Sequence, residues 1–281
     1  MSVLLQTKTT LLNTTPVVKW AGGKRQLLSE IMQNLPKQFN QYFEPFIGGG
    51  ALFFALQPEQ GYISDINEEL VNLYKVIQSD VYALIDALAL HENTEDYFFR
   101  IRNIDRTHEY ENWTDVQKAS RFIFLNRTCF NGLYRVNSRG EFNVPYGRYK
   151  NPQLVNVENL LNCSELLKQT LIAHADFTTI EALTKRGDFV YFDPPYMPLT
   201  PTANFTAYTK EGFDIEMQIK LKKLCDTLDK KGVHFLLSNS DVPFIRELYD
   251  EYTIKTVWAS RAINASGNAR GKITEVLVRN Y

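Results

Sequence analysis

The chain has 281 residues, 44% of them hydrophobic and 22% charged, with a net charge of −1 at pH 7. That is ordinary globular composition, and the length suits one large domain or a core carrying an insertion. Residues 1–15 lack the basic start and apolar run of a secretory leader, and no stretch is apolar for the ~18 residues a membrane span needs, so a soluble, cytoplasmic protein without a membrane partner is expected. Cys129, Cys163 and Cys225 are far apart, as are His91, His108, His174 and His234, with no metal-type spacing. They are read as structural, and no metal is expected.

Taken in chain order, Tyr42 to Ile47 reads as a short apolar strand, broken by Gly48-Gly49-Gly50 and followed by a helix start at Ala51 to Leu56. A second strand at Gly61 to Ser64 ends in Asp65. Strand, glycine turn, helix, strand and acid is the α/β nucleotide-binding order. Asp65 lies 17 positions after Gly48, near the ~20-residue offset at which a carboxylate meets ribose hydroxyls. Phe53 stands where a third glycine would be, which disfavours a pyrophosphate and leaves adenosine without phosphates open. Structural turn glycines and a surface aspartate would explain the same pattern.

From about Val76 to Asn159 the character changes. Ser79 to Leu90 and Trp113 to Leu125 carry helix-spaced apolar residues, and Asn126 to Arg148 reads as loops with a possible hairpin. Between Lys118 and Lys150 stand seven basic residues, Lys118, Arg121, Arg127, Arg135, Arg139, Arg148 and Lys150, against one acid, Glu141. This hints at phosphate contact, though most charge runs are solvated faces. The α/β pattern resumes with a buried-type strand at Phe189 to Phe192, an amphipathic helix at Asp214 to Lys230, a strand at Val233 to Leu237 and a last strand at Glu275 to Val278. The expected fold is an open, mostly parallel Rossmann-like α/β sheet interrupted by a mostly helical insertion. Residues 1–75 and 160–281 form its catalytic part and 76–159 its target-recognition part.

Asp193-Pro194-Pro195-Tyr196 closes a strand at the end where open α/β sheets bind ligands. The prolines fix the backbone and remove two donors, leaving the Asp193 carboxylate and the Pro194 carbonyl as acceptors beside an aromatic ring. Such a set suits an exocyclic amine, with Tyr196 stacking on the base for roughly 1–3 kcal/mol. The competing reading is a Pro-Pro turn whose aspartate caps a helix.

With these residues in view, the chain resembles the Dam-type, alpha-group family of adenine-N6 DNA methyltransferases, whose members include enzymes that methylate GATC. Lys19-Trp20-Ala21-Gly22-Gly23-Lys24 is similar to the family's amino-terminal cofactor motif, Phe46-Ile47-Gly48-Gly49-Gly50 to its FxGxG motif, and Asp193 to Tyr196 to its DPPY. The resemblance implies S-adenosylmethionine as cofactor, held by Trp20, Lys24, Phe46, Gly48, Gly50, Asp65 and Asp193, with Asp193, Pro194 and Tyr196 catalytic. Lys24 would meet a carboxylate of the donor or of the protein; core packing for Trp20 and a surface role for Lys24 are the plainer alternatives.

The stretch Asn131-Gly132-Leu133-Tyr134-Arg135 to Gly147-Arg148-Tyr149-Lys150 is similar to the family's GATC-reading region. It implies double-stranded DNA as partner, Arg135 as the guanine reader, Asn131 and Leu133 near base edges, and Lys19, Arg148, Tyr149 and Lys150 at the DNA. Asn131-Gly132 and Gly140 also suit hairpin turns. The implied reaction is methyl transfer to adenine N6, with the base flipped out of the duplex. A catalytically silent DNA-binding module of the same fold is the alternative. Cytosine N4, RNA or protein glutamine as acceptor is disfavoured by Asp193 and by the recognition stretch. A restriction endonuclease partner would be encoded elsewhere.

Overall fold

The computed structural model describes residues 11–198, 213–260 and 272–281. Its strands are β1 (Tyr42–Glu44), β2 (Gly61–Asp65), β3 (Thr170–His174), β4 (Phe189–Phe192), β5 (His234–Ser240), β6 (Thr253–Ser260) and β7 (Lys272–Arg279). They form one sheet in the order β3-β2-β1-β4-β5-β7-β6. The first five are mutually parallel, and β7 runs antiparallel to both β5 and β6. From β1 the chain moves outward to β2 and β3, then returns to start β4 on the other side. That reversal makes the carboxyl ends of β1 and β4 a topological switch point, where open sheets place their ligands.

The central strands read as continuous apolar runs because both faces are covered. Tyr42, Phe189, Tyr191 and Leu236 belong to one buried cluster. Their strand neighbours Phe43, Val190, Phe192, Phe235 and Leu237 belong to another, packed with Leu221, Leu224 and Leu228 of the helix Ile215–Lys231. Full burial of each such side chain contributes roughly 1.5–3 kcal/mol. That helix starts after Asp214, whose carboxylate accepts from Met217 N, and ends at Gly232 in the left-handed region, φ 73°.

The insertion lies between β2 and β3. It contains the helices Glu68–Ser79, Val81–Ala89, Glu95–Asn103, Asp115–Thr128 and Val157–Leu167. Thr114 and Gln117 form a reciprocal capping box at the start of the fourth, satisfying two otherwise open donors. Between the last two helices runs a ribbon pinned by antiparallel bridges Cys129↔Tyr146 and Val136↔Phe142, so the expected hairpin is present. The insertion shares its core with the sheet: Phe98, Phe122, Phe124, Tyr134 and Phe142 lie in the same cluster as Tyr42 and Phe189. Positions 75 and 159 fall inside the helices Glu68–Ser79 and Val157–Leu167, so both changes of character occur within continuous helix.

Two strands escape the sequence pattern. β3 sits at the sheet edge with Thr170 buried and Leu171 and His174 exposed, so its apolar signal is weak. β6 forms the opposite edge, and its Lys255 and exposed Trp258 blur the alternation. The last strand is longer than its apolar stretch, because pairing with β6 recruits polar residues on both sides of Glu275–Val278. No helix among the described residues is long and apolar enough to cross a membrane.

Candidate active site and recognition surface

β1 delivers the chain into Gly48-Gly49-Gly50, where Gly48 and Gly50 take positive φ values of 46° and 69°. Left-handed backbone favours glycine, and space forbids anything larger. A Cβ on Gly48 would lie 2.7 Å from the Trp20 ring and one on Gly50 2.9 Å from Phe54. These glycines therefore admit the protein's own aromatic rings. Trp20 is half-buried and stacks on Tyr134 with centroids 5.3 Å apart, so core packing accounts for one of its faces.

Asp65, at the end of β2, accepts from Gly48 N at 3.1 Å and from Asn67 N at 3.0 Å. Burial pushes its pKa up, while those amide donors oppose the rise. The carboxylate thus ties the acid of β2 to the glycine turn, forming one wall of the crevice. Next to it Ile66 is 58% exposed. Beyond β3, Ala175 N donates to Asp65 O, and Phe177 stacks on the half-buried Phe46 at 5.3 Å. Sequence reasoning did not single out Ile66 or Phe177, which the fold brings beside the glycine turn and Phe46, because β3, the strand that leads to Phe177, left no clear pattern.

At the end of β4, Lys24 Nζ pairs with Asp193 Oδ1 at 2.7 Å. Of the two carboxylates anticipated for Lys24, the protein's own is the one met, and with 5% exposure Lys24 is no surface lysine. It also donates to Gly22 O and lies 4.4 Å from the Tyr196 ring centroid, a cation–π contact. Ser238 Oγ, at the end of β5, donates to Asp193 Oδ1 at 3.1 Å. The carboxylate is therefore committed to Lys24 and Ser238 rather than to capping a helix. Burial pushes the Asp193 pKa up, with Lys24 and Ser238 pulling the other way. Pro194 is buried, and Gln218 Nε2 donates to the Pro195 carbonyl at 3.1 Å. Tyr196 donates its hydroxyl to Glu275 Oε2 at 2.6 Å. Glu275 was read from sequence only as part of a strand.

On the ribbon, Asn126 joins two regions distant in sequence. Its side chain accepts from Lys19 N and donates to Lys19 O and Gly132 O. Lys19 consequently lies against Gly132, where a Cβ would come within 2.5 Å of its chain, and its ammonium is 5.8 Å from the Tyr149 ring centroid. Asn131 is exposed at φ 59° and its N donates to the Tyr149 hydroxyl at 3.1 Å. Lys19, Asn131 and Tyr149 thus form one patch. Leu133 is half-buried. Arg135 is exposed, its guanidinium steadied by Asn143 at 2.7 Å. Arg148 is drawn to Glu95 at 3.2 Å, and Lys150 is exposed. Phe130, beside Asn131, is 55% exposed, and the sequence reading did not single it out.

The basic run needs one correction. Arg121 is 1% exposed, pairs with Asp105 at 2.6 Å and Glu69 at 3.6 Å, and donates to Ile101 O. It braces the ribbon through Asp105, which also accepts from Phe142 N. Arg127 donates to Val17 O. Neither belongs to a solvated basic face. His91 is structural as expected: it bonds Tyr97 and Ser120, and burial lowers its pKa to about 4.

A doubly wound sheet with polar side chains gathered at the β1–β4 switch point defines an α/β protein of the class that binds its ligand at that crevice. The model for D12 class N6 adenine-specific DNA methyltransferases matches residues 20–263, and the chain belongs to that family: it is an adenine-specific DNA methyltransferase. It is 46% identical over 274 residues to the Type II methyltransferase M1.LlaDCHI of Lactococcus lactis subsp. cremoris, covering 96% of each chain. It is 45% identical over 286 residues to the Type II methyltransferase M.MjaIII of Methanocaldococcus jannaschii, covering 95% of this chain and 99% of that one. A DNA adenine methylase of Escherichia coli is 35% identical over 265 residues, with 92% and 93% covered.

Proposed function

We propose that this enzyme uses S-adenosylmethionine to methylate N6 of an adenine flipped out of duplex DNA, within the sequence GATC. The observation that carries the reading is the Asp193 turn: a half-buried carboxylate on a proline-fixed backbone, beside an aromatic ring, at the same end of the sheet as Asp65 and the glycine turn. Asp65 and the exposed Ile66 suit a ribose diol and an apolar ring, and half-buried carboxylates on both sides suit a cationic donor. Such a donor supplies a methyl group already activated by its sulfonium.

The chain's own task is to bind and orient. Asp193 and the Pro194 carbonyl accept the two N6 hydrogens, favouring a more tetrahedral, electron-richer nitrogen, and Tyr196 stacks on the base. An amine entering this pocket takes over contacts that Lys24 makes with Asp193 and Tyr196, so Lys24 keeps the buried carboxylate paired until then. Positioning and preorganised electrostatics suffice for such a transfer.

Residues 76–159 read the target. Arg135 takes a guanine in bidentate fashion, Asn131 and Leu133 approach base edges, and Lys19, Arg148, Tyr149 and Lys150 set register at the backbone. The exposed Phe130 suits the gap left by the extruded base, as apolar wedges do elsewhere. GATC rests on the likeness of the ribbon sequence.

The test is to treat unmethylated plasmid with protein and S-adenosylmethionine, then digest it with nucleases that differ in their tolerance of GATC methylation. Selective protection at GATC is expected. Methylation elsewhere with GATC left open overturns the target and spares the chemistry.

A further inference from the structure

We propose that Glu275 is a positioning residue for the methyl-transfer step, fixing the Tyr196 ring through its hydroxyl so that the ring is already aligned when the base arrives; this rests on the adenine reading above. The Pro-Pro turn fixes the backbone of Tyr196 but leaves its side-chain torsions to be set by contacts. Among the described residues, Lys24 lies over one ring face and the Glu275 carboxylate takes the hydroxyl at 2.6 Å. The first is the contact an entering base displaces, so of these two the second is left to hold the ring during the reaction.

The placement of Glu275 follows from topology. Antiparallel β7 sets it opposite Ser240 of β5 and Val257 of β6, at the carboxyl end of the parallel strands, where β4 releases Asp193. β5 grips the backbone after Tyr196 from the same end: Ser240 Oγ donates to Met197 O at 2.7 Å and Met197 N donates to Asn239 Oδ1 at 3.2 Å. Strand-mounted supports are more exact than loops, and the site stands on three of them.

The hydroxyl of the half-buried Tyr196 needs an acceptor, and the Glu275 side chain supplies it. Burial pushes the Glu275 pKa up, Lys24 and Tyr196 pull it down, and the nearby Asp193 raises it again.

The experiment is a double-mutant cycle in single-turnover methylation of a GATC duplex, with the intact protein. Glu275→Ala is expected to slow transfer about tenfold, with Kd for DNA unchanged. Glu275→Gln, whose amide oxygen still accepts the hydroxyl, restores most of the rate. In the Tyr196→Phe background, which has no hydroxyl to hold, Glu275→Ala adds little. With 2-aminopurine at the target position, fluorescence in the complex is brighter for Glu275→Ala than for wild type and returns with Glu275→Gln. If Glu275→Ala costs as much without the Tyr196 hydroxyl as with it, or if Glu275→Gln is as slow as Glu275→Ala, the proposal is overturned, while wild-type activity leaves the adenine reading standing. A wild type that leaves this duplex unmethylated but methylates adenine elsewhere overturns only the GATC target, and the cycle is then run on the duplex it does methylate; a wild type that methylates no adenine in any duplex overturns both.

Discussion

Around Asp193 the charged side chains are buried or half-buried and held by protein atoms, whereas along the ribbon from Cys129 to Lys150 most stand exposed on a buried brace. Lys24 and Asp193 are packed against strand ends and satisfy each other. Arg135 and Lys150 are exposed, while Arg121 and Asn126 beneath them carry the buried contacts. The first arrangement suits chemistry, which needs one fixed geometry and a low dielectric. The second suits reading, which needs donors free to meet bases and phosphates on a frame that keeps them in register. Substitutions in the two regions should therefore fail differently, in rate at the pocket and in selectivity or stability at the ribbon.

The largest expected effect is at the pocket. Asp193→Ala removes the proposed acceptor for N6 and takes the carboxylate partner from the buried Lys24 ammonium. Transfer should fall at least about 10²–10³-fold, the scale of losing a preorganised electrostatic partner, while gel-shift affinity for DNA survives. Full activity in this variant would remove the proposed mechanism. At the ribbon, Arg135→Ala should keep transfer but relax selection at one guanine by roughly 1–3 kcal/mol, measured as the ratio of kcat/KM for the cognate site and a site changed at that base. An unchanged ratio would take the reading role away from Arg135.

Between reading and chemistry stands Asn126, whose side chain clamps Lys19 to Gly132. Asn126→Ala strands buried backbone groups at about 1–3 kcal/mol each, so thermal unfolding should shift clearly downward. An unshifted midpoint would mean that Lys19 does not need the clamp.

The same contrast explains what could be read in advance. β4 and the Asp193 turn were legible because a strand buried on both faces leaves an unbroken apolar run, and consecutive prolines have few uses. Gly48 and Gly50 were legible as a turn, but the Trp20 and Phe54 rings that fill the space above them are contacts no local pattern contains. Glu275 reaches Tyr196 only because β7 runs antiparallel beside β5, and pairing across that distance in sequence leaves no local trace. Arg121 failed in the opposite sense. A basic residue in a basic run looks solvated until the fold brings Asp105 and Glu69 to it.

Acid sharpens the comparison, because burial raises the pKa values of Asp65, Asp193 and Glu275, whereas hydrogen bonds from Asn137 and Arg139 lower that of Glu141 on the ribbon. Burial lifts the Asp193 pKa above the ordinary aspartate value, and Lys24 restrains the lift. Folding therefore favours the protonated form more than a free aspartate does, so the group's contribution to stability is lost as pH rises through the raised pKa, whereas the proposed N6 contact requires the ionised form. Activity should then be lost on the acid side at a pH above the usual aspartate range. Lys24→Gln should move that limb to higher pH, since removing the cation lets burial act unopposed. A limb that stays in place would show that another group governs it.

The smallest effect lies at the outer edge of the ribbon. Lys150 is exposed, so its ammonium has little to contribute to folding and acts on DNA through phosphate charge alone. Neutralising one phosphate contact changes the slope of log K against log salt by about 1 and weakens all sequences alike. Lys150→Ala should therefore bind GATC and unrelated duplexes more weakly by the same factor, with the gap closing as salt is raised. Titrations at several salt concentrations measure this directly. A loss confined to GATC would place Lys150 at a base edge, and the division between positioning and reading along the ribbon would have to be redrawn around it.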